Sequence, residues 1–257
     1  MITLRPVRRY LVAAILLACG VGCAAVAKAE AEAAGVMISP VVLEIDSPRK
    51  AIAVTVTNGS DRAMTFQTET LVWQQIDGID RYEPTEALLV VPAIVDVPAH
   101  ASQVIRVMLR SPAPSPLERT YRLALENITE EQAAATGRAS IAFKVSHNLP
   151  IMIAPSGKPF HAVLWKPCAL QAAVRSGEAC VRLLNAGNRR LKVKTLTVTG
   201  DGWQQALALK DGANVLAGAE HEWRVPLASG QTGALRAVQV EIGNGETLQA
   251  GDGNRGS

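Results

Sequence analysis

The sequence of 257 residues predicts an all-β protein with two sandwich-like parts, and three observations carry that prediction. Short runs alternating apolar and polar residues recur along the chain, each closed by turn residues. No segment of useful length has the 3.6-residue apolar period of a helix. A Pro/Gly-rich stretch, Ala154-Pro155-Ser156-Gly157-Lys158-Pro159, divides the strand-like runs into two sets. Hydrophobic residues make up 48% and aromatic residues 4%, so both cores must be aliphatic.

The first 29 residues read as an address. Arg5, Arg8 and Arg9 precede an apolar run from Tyr10 to Ala27, and Ala27-Lys28-Ala29 offers small residues where a signal peptidase reads. The other reading is an anchor that stays in place; Gly20, Gly22 and the cleavage site favour removal. Leu16-Leu17-Ala18-Cys19 loosely resembles a lipoprotein site, which leaves lipidation of Cys19 open. No second apolar stretch is long enough to span a bilayer, so the expected product is soluble and exported.

The first set of strands follows in residues 30–154. Ile52, Val54 and Val56 alternate with Thr55 and Thr57 before an Asn58-Gly59 turn. Thr65–Trp73 is followed by a polar turn at 77–80, then by Leu88–Val91. In Val104–Arg110, Ile105, Val107 and Leu109 oppose Arg106 and Arg110. Tyr121, Leu123 and Leu125 oppose Arg122, Ala124 and Glu126. The last strand is expected to run from Ala139 to Ile153, about 50 Å at the usual rise. Only part of so long a strand can be covered by its own domain, and Pro150 demands an edge or a break. The second set, in residues 155–257, comprises runs at 162–174, 178–185, 191–199, 203–209, 221–227 and 233–242, then a Gly-rich tail.

Charge and chemistry narrow the function. Residues 1–29 hold four of the 26 basic residues and no acidic ones, leaving 22 basic against 23 acidic. A near-neutral chain lacks the clustered positive surface that nucleic acid requires. His100, His147, His161 and His221 are scattered, and no nucleophile motif or Gly-rich phosphate loop is present, so neither an enzyme, a cofactor nor a metal site is expected. Asn58-Gly59-Ser60 and Asn127-Ile128-Thr129 match the glycosylation sequon, a pattern short enough to arise by chance. Cys19 and Cys23 leave with the signal. Cys168 and Cys180 flank an Arg175-Ser176-Gly177 turn, and a hairpin there brings them within disulfide reach; the other reading is two buried thiols.

Several motifs resemble the periplasmic pilus (fimbrial) chaperones, the divergent archaic branch above all. They are Gly35-Val36-Met37-Ile38-Ser39-Pro40, Val54-Thr55-Val56-Thr57-Asn58, residues Pro98 to Val107, and Arg119-Thr120-Tyr121-Arg122-Leu123. Leu149 to Pro155 and Val181 to Asn188, with its Asn185-Ala186-Gly187 turn, complete the set. The resemblance implies two immunoglobulin-like domains in an L. The first lends its last strand to a pilus subunit whose own sandwich lacks one, and the chaperone passes the subunit to an outer-membrane usher. Such β-augmentation uses main-chain hydrogen bonds for affinity and alternate side chains for the partner's core. Alignment on Ile153-Ala154-Pro155 assigns Ile141, Phe143 and Val145 as the donated side chains.

The better-known branch clamps the subunit's terminal carboxylate with an Arg and a Lys, whose positions read Val42 and Pro150 here; its linker Arg reads Ala154. Arg122, on the expected neighbour of the donor strand, is the candidate anchor, against the reading of an ordinary solvated arginine. The other function class is a structural or adhesive two-domain β protein, a pilus component or a carbohydrate-binding module. A pilus subunit is expected to carry a spare donor segment, which residues 30–37 do not resemble. A sugar module needs exposed aromatics, and Trp73, Trp165, Trp203 and Trp223 are the tryptophans available.

Overall fold

The computed structural model describes residues 35–46, 49–110, 114–129, 145–168, 174–175 and 177–253, and among these the chain is strand and turn with no helix. The first ten strands are β1 (Val36–Ser39), β2 (Leu43–Ile45), β3 (Ala51–Asn58), β4 (Met64–Ile76) and β5 (Ile79–Pro84), then β6 (Leu88–Val91), β7 (Ile94–Val97), β8 (Ser102–Leu109), β9 (Arg119–Asn127) and β10 (Ser146–Ile153). They form one sheet in the order β1-β3-β8-β6 and a second in the order β2-β10-β9-β4-β5, with β7 also on β4. The period-2 alternation explains the sandwich: Val54 and Val56, Ile105 and Val107, Leu123 and Leu125 point inward and are fully buried, with Phe66 and Ile151 between them.

The remaining strands are β11 (Val163–Pro167), β12 (Val174–Arg175), β13 (Glu178–Asn185), β14 (Leu191–Gly200) and β15 (Trp203–Val215), then β16 (Glu220–Pro226), β17 (Leu235–Ile242), β18 (Thr247–Gln249) and β19 (Gly251–Asp252). They build a second pair of sheets, β12-β13-β11-β19 with β16 on β13, and β15-β14-β17-β18. Val181, Val193, Leu196, Val198, Val225, Val238 and Val240 fill the space between these sheets. Two immunoglobulin-like sandwiches therefore follow one another in the chain.

Both sandwiches use one corner device. Asn58, at the end of β3, is fully buried; its amide donates to the Arg62 and Val97 carbonyls, and its Oδ1 accepts from Ser60 N. Asn185, at the end of β13, repeats this with Arg189 O, Val215 O and Gly187 N. A buried amide is costly unless its groups are bonded, which is why asparagine stands at both corners. Asn58 is thus committed to the fold rather than presented as a glycosylation acceptor.

Several expected boundaries differ. The polar turn at 77–80 shrinks to Asp77-Gly78, and Ile79 already opens β5. Both turn residues have positive φ (53° and 75°), the geometry whose twist suits a two-residue hairpin. The run expected at 162–174 forms β11, ending at Pro167, and a separate β12. β15 continues to Val215, past Gly212 at φ 71° and a register shift opposite Val193 and Thr195. Of the strand expected from Ala139 to Ile153, β10 is the described part; Ile141 and Phe143 lie outside the described residues, and Val145 stands just before β10.

Candidate functional site

β10 has unequal flanks. On one side it pairs antiparallel with β9 from Ser146 to Ile153. On the other, β2 pairs in parallel with Ile151–Ile153 alone, so among the described residues Ser146–Pro150 have no strand partner there. Pro150, with no N–H to give, is tolerated because one flank is free. Exposure grades along the core-facing row: Ile151 is 0% exposed, Leu149 7% and Val145 51%. At the head of the strand the Val145 carbonyl accepts Asn127 N at 3.1 Å.

Beside this flank, on the sheet face turned away from the first core, lies a cluster built on Arg122. Cross-strand register puts Arg122 between Pro150 and Leu71, and Trp73 beside Tyr82. The guanidinium carbon lies 4.0 Å from the Trp73 ring centroid and 5.6 Å from that of Tyr82. A cation over an aromatic face gains about 0.5–2 kcal/mol, increasing as water is excluded. Nη1 reaches the Asn148 carbonyl at 3.5 Å, the limit of a hydrogen bond, and Nε is buried without a partner. Among the described residues no carboxylate forms an ion pair with it. Val42, at one of the positions where the resemblance expects a cation, lies beyond Pro150 and is 42% exposed. Arg122 is therefore held against Trp73 and Tyr82, near enough to Asp80 for its charge to act on that carboxyl.

The neighbouring acid is engaged elsewhere. Asp80 accepts from Gln75 Nε2 at 2.8 Å and from the Tyr82 hydroxyl at 3.0 Å. Burial pushes its carboxyl up, but the Trp73 indole, then these two donors and the Arg122 charge, outweigh that and hold it below the ordinary range. Burial, then the Asp80 bond, raises the Tyr82 phenol. Sequence reasoning singled out Arg122 as an outward residue of its strand but did not join Trp73, Tyr82 and Asp80 to it. The outward parity of Trp73, out of step with core-facing Val72, was the available signal.

The same face continues to the second sandwich. Trp73 and Met152 belong to that sandwich's apolar cluster, and Gln75 bonds Asn214 O and Leu216 N across the boundary. Beyond the Val72–Tyr121 pair, β4 and β9 part around a cleft of about 420 Å³, closed by residues 216–219. Trp73, Trp165 and Trp223 are 2%, 8% and 6% exposed, so they cannot form a stacking platform for sugar.

Cys168 and Cys180 are bonded, with Cα atoms 5.7 Å apart. Glu222 lies beside them, but sulfurs joined to each other offer no thiolate, so this group is not a metal site. His100 and His161 pair with Asp61 and Glu246, and neither faces a nucleophile within those pairs.

The family described as pili and flagellar-assembly chaperone, PapD N-terminal domain, matches residues 35–159. A comparison with curated protein sequences returns no match. Among solved structures, the CsuC–CsuE chaperone–tip adhesion subunit pre-assembly complex from the archaic chaperone–usher Csu pili of Acinetobacter baumannii is similar at a TM-score of 0.62. Identity is 16%, over 85% of this chain and 99% of that one. The class 5 fimbriae chaperone CfaA gives 0.60 and 16%, over 84% and 99%. The Salmonella enterica SafA pilin in complex with the SafB chaperone gives 0.54 and 12%, over 84% and 95%. These likenesses establish the two-sandwich fold.

Proposed function

We propose, from the premise that the chain belongs to the pili and flagellar-assembly chaperone family, that it captures pilus subunits along the free flank of β10 and delivers them to an outer-membrane usher. The observation that carries this is the pairing of an open strand flank with an arginine that, among the described residues, has no carboxylate within ion-pair distance. A subunit strand laid against Ser146–Pro150 satisfies the open backbone groups, as in β-augmentation. Ile141, Phe143 and Val145 then enter the subunit's groove, and Arg122 takes its terminal carboxylate. The weakly bonded Nη1 supplies a charge-assisted donor, while Trp73 holds the guanidinium plane. Solved relatives that are chaperone–subunit complexes support a subunit as partner. The signal at 1–29 sends the chain to the periplasm, where the Cys168–Cys180 bond persists. Binding, not catalysis, is the activity, and no cofactor takes part.

Co-expression with a His-tagged pilus subunit tests the reading. Removing one partner of a buried charge pair typically costs about 2–5 kcal/mol. Arg122→Ala should therefore abolish recovery of the complex while the free chain stays folded. Complexes at normal yield would move the anchor elsewhere. Arg106 is a poor substitute because it lies on β8 in the opposite sheet; Lys144, outside the described residues, would be tested next.

A further inference from the structure

The core-facing row of β10 holds one residue that the site above leaves without a task. Val145, His147, Leu149 and Ile151 alternate along one face of the strand. Val145 is 51% exposed, Leu149 7% and Ile151 0%, and His147 stands half-buried where the gradient turns. It is the one ionisable side chain in Ser146–Ile153. Its place in the row is a seam. Behind it the strand belongs to its own core; ahead of it, on the chaperone reading, the row belongs to a partner's.

Among the described residues nothing that packs near His147 balances a positive charge. Opposite it on β9 stands Leu125, with Leu123 on the same face, while Arg122 and Glu126 point the other way, as does Glu69 on β4. Arg119 shares the inward face but opposes Ile153, at the far end of the pair. Asn127, at the near end, has a carboxamide oxygen that already accepts Thr129 N at 2.9 Å and Thr129 Oγ1 at 2.6 Å. β1, whose Val36 and Ile38 pack on the same core cluster, holds no ionisable side chain. β2 brings Glu44, but opposite Met152 and bonded to Arg190 at 2.8 Å. The His147 ring makes no hydrogen bond among the described residues, so in the free chain its nitrogens are left to water.

Histidine ordinarily changes charge between about pH 5 and pH 8. A subunit strand laid along Ser146–Pro150 covers the open flank and takes water away from the seam. A neutral imidazole tolerates that enclosure, whereas an imidazolium with no acid beside it is costly to bury. We infer that His147 gates subunit capture by pH: the neutral ring closes the seam between the two cores, and the protonated ring opens it and releases the subunit. The complex favours the neutral form, so capture is complete on the alkaline side and is lost as pH falls. This role rests on the chaperone reading, and it requires a partner surface at the seam with no carboxylate aimed at the ring.

A pilus subunit carrying a streptavidin-binding tag, co-expressed with the chain and immobilised as the complex, tests the gate through the rate at which the chain is released. The parent should leave about tenfold faster at pH 5.5 than at pH 7.5, roughly the window around an ordinary histidine. His147→Phe and His147→Gln both remove the titrating ring, the second without adding apolar bulk, and each should show one rate at both pH values. The comparison cancels every titrating group that parent and variants share. Equal parent rates at the two pH values, or a parent ratio that survives in both variants, would overturn the gate and leave the chaperone reading standing. Slower release at pH 5.5 would overturn it as well, by placing a partner acid beside the ring. A parent chain that captures no subunit at either pH would overturn the chaperone reading and the gate with it.

Discussion

The gradient of burial along β10 makes one substitution series especially informative. Ile151 is fully buried against Leu123 and its neighbours in the first core, whereas Val145, three alternations earlier on the same row, is 51% exposed. Ile151→Ala removes buried methyl and methylene groups and leaves a cavity between two sheets that cannot close on it; such a change costs about 2–5 kcal/mol. Against a stability of about 5–15 kcal/mol, that is a large fraction. Val145→Ala should cost less than about 0.5 kcal/mol, as at other exposed positions. Urea unfolding of the mature chain, read as midpoints at constant slope, gives both numbers. The order should invert in subunit capture: Val145→Asp should lose it, because a carboxylate cannot enter an apolar groove without a large desolvation cost. A midpoint shift for Val145→Ala equal to that of Ile151→Ala would refute the argument, since the head of the strand would then belong to its own core.

Two further outcomes follow. The Cys168–Cys180 bond closes a short loop and should contribute about 3 kcal/mol in the chain-entropy account; denatured, unreduced mature chain should show no free thiol, and two per chain would contradict the bond. His221 packs 4.1 Å from the Trp223 ring centroid and against Gly78, and burial lowers its pKa from 6.5. The folded state thus favours the neutral ring, so stability should be complete above about pH 6.5 and decline as pH falls below it. His221→Phe should flatten the unfolding midpoint between pH 7.5 and pH 5.5, roughly the window around an ordinary histidine; an unchanged slope would assign it to other groups.

What could be read in the sequence was local. In β3, β8 and β9 the alternation is regular because one face is buried, so inward and outward residues could be assigned singly, Arg122 among the outward ones. The disulfide was legible for the same reason, two strands around one turn. β1, β2 and β7 have three or four residues, too few to show a period. β5 is exposed throughout and has no apolar alternation to detect. The surroundings of Arg122 depend on the register of β4 and β5, and the burial of Glu118 on arginines 71 and 72 residues away. Such pairings between distant segments leave no trace in local pattern, and Ser115-Pro116-Leu117-Glu118 reads as an ordinary loop.

The central claim is that the segment leading into β10 serves a partner's core rather than its own, and Phe143→Asp tests it most directly. The variant is to be assayed for melting temperature alone and for recovery with a co-expressed pilus subunit. A buried Phe truncated in its own core would cost about 3–5 kcal/mol, and an added charge more. The account predicts an unchanged melting temperature together with lost capture. A chain that unfolds, or one that captures subunit at normal yield, would contradict it.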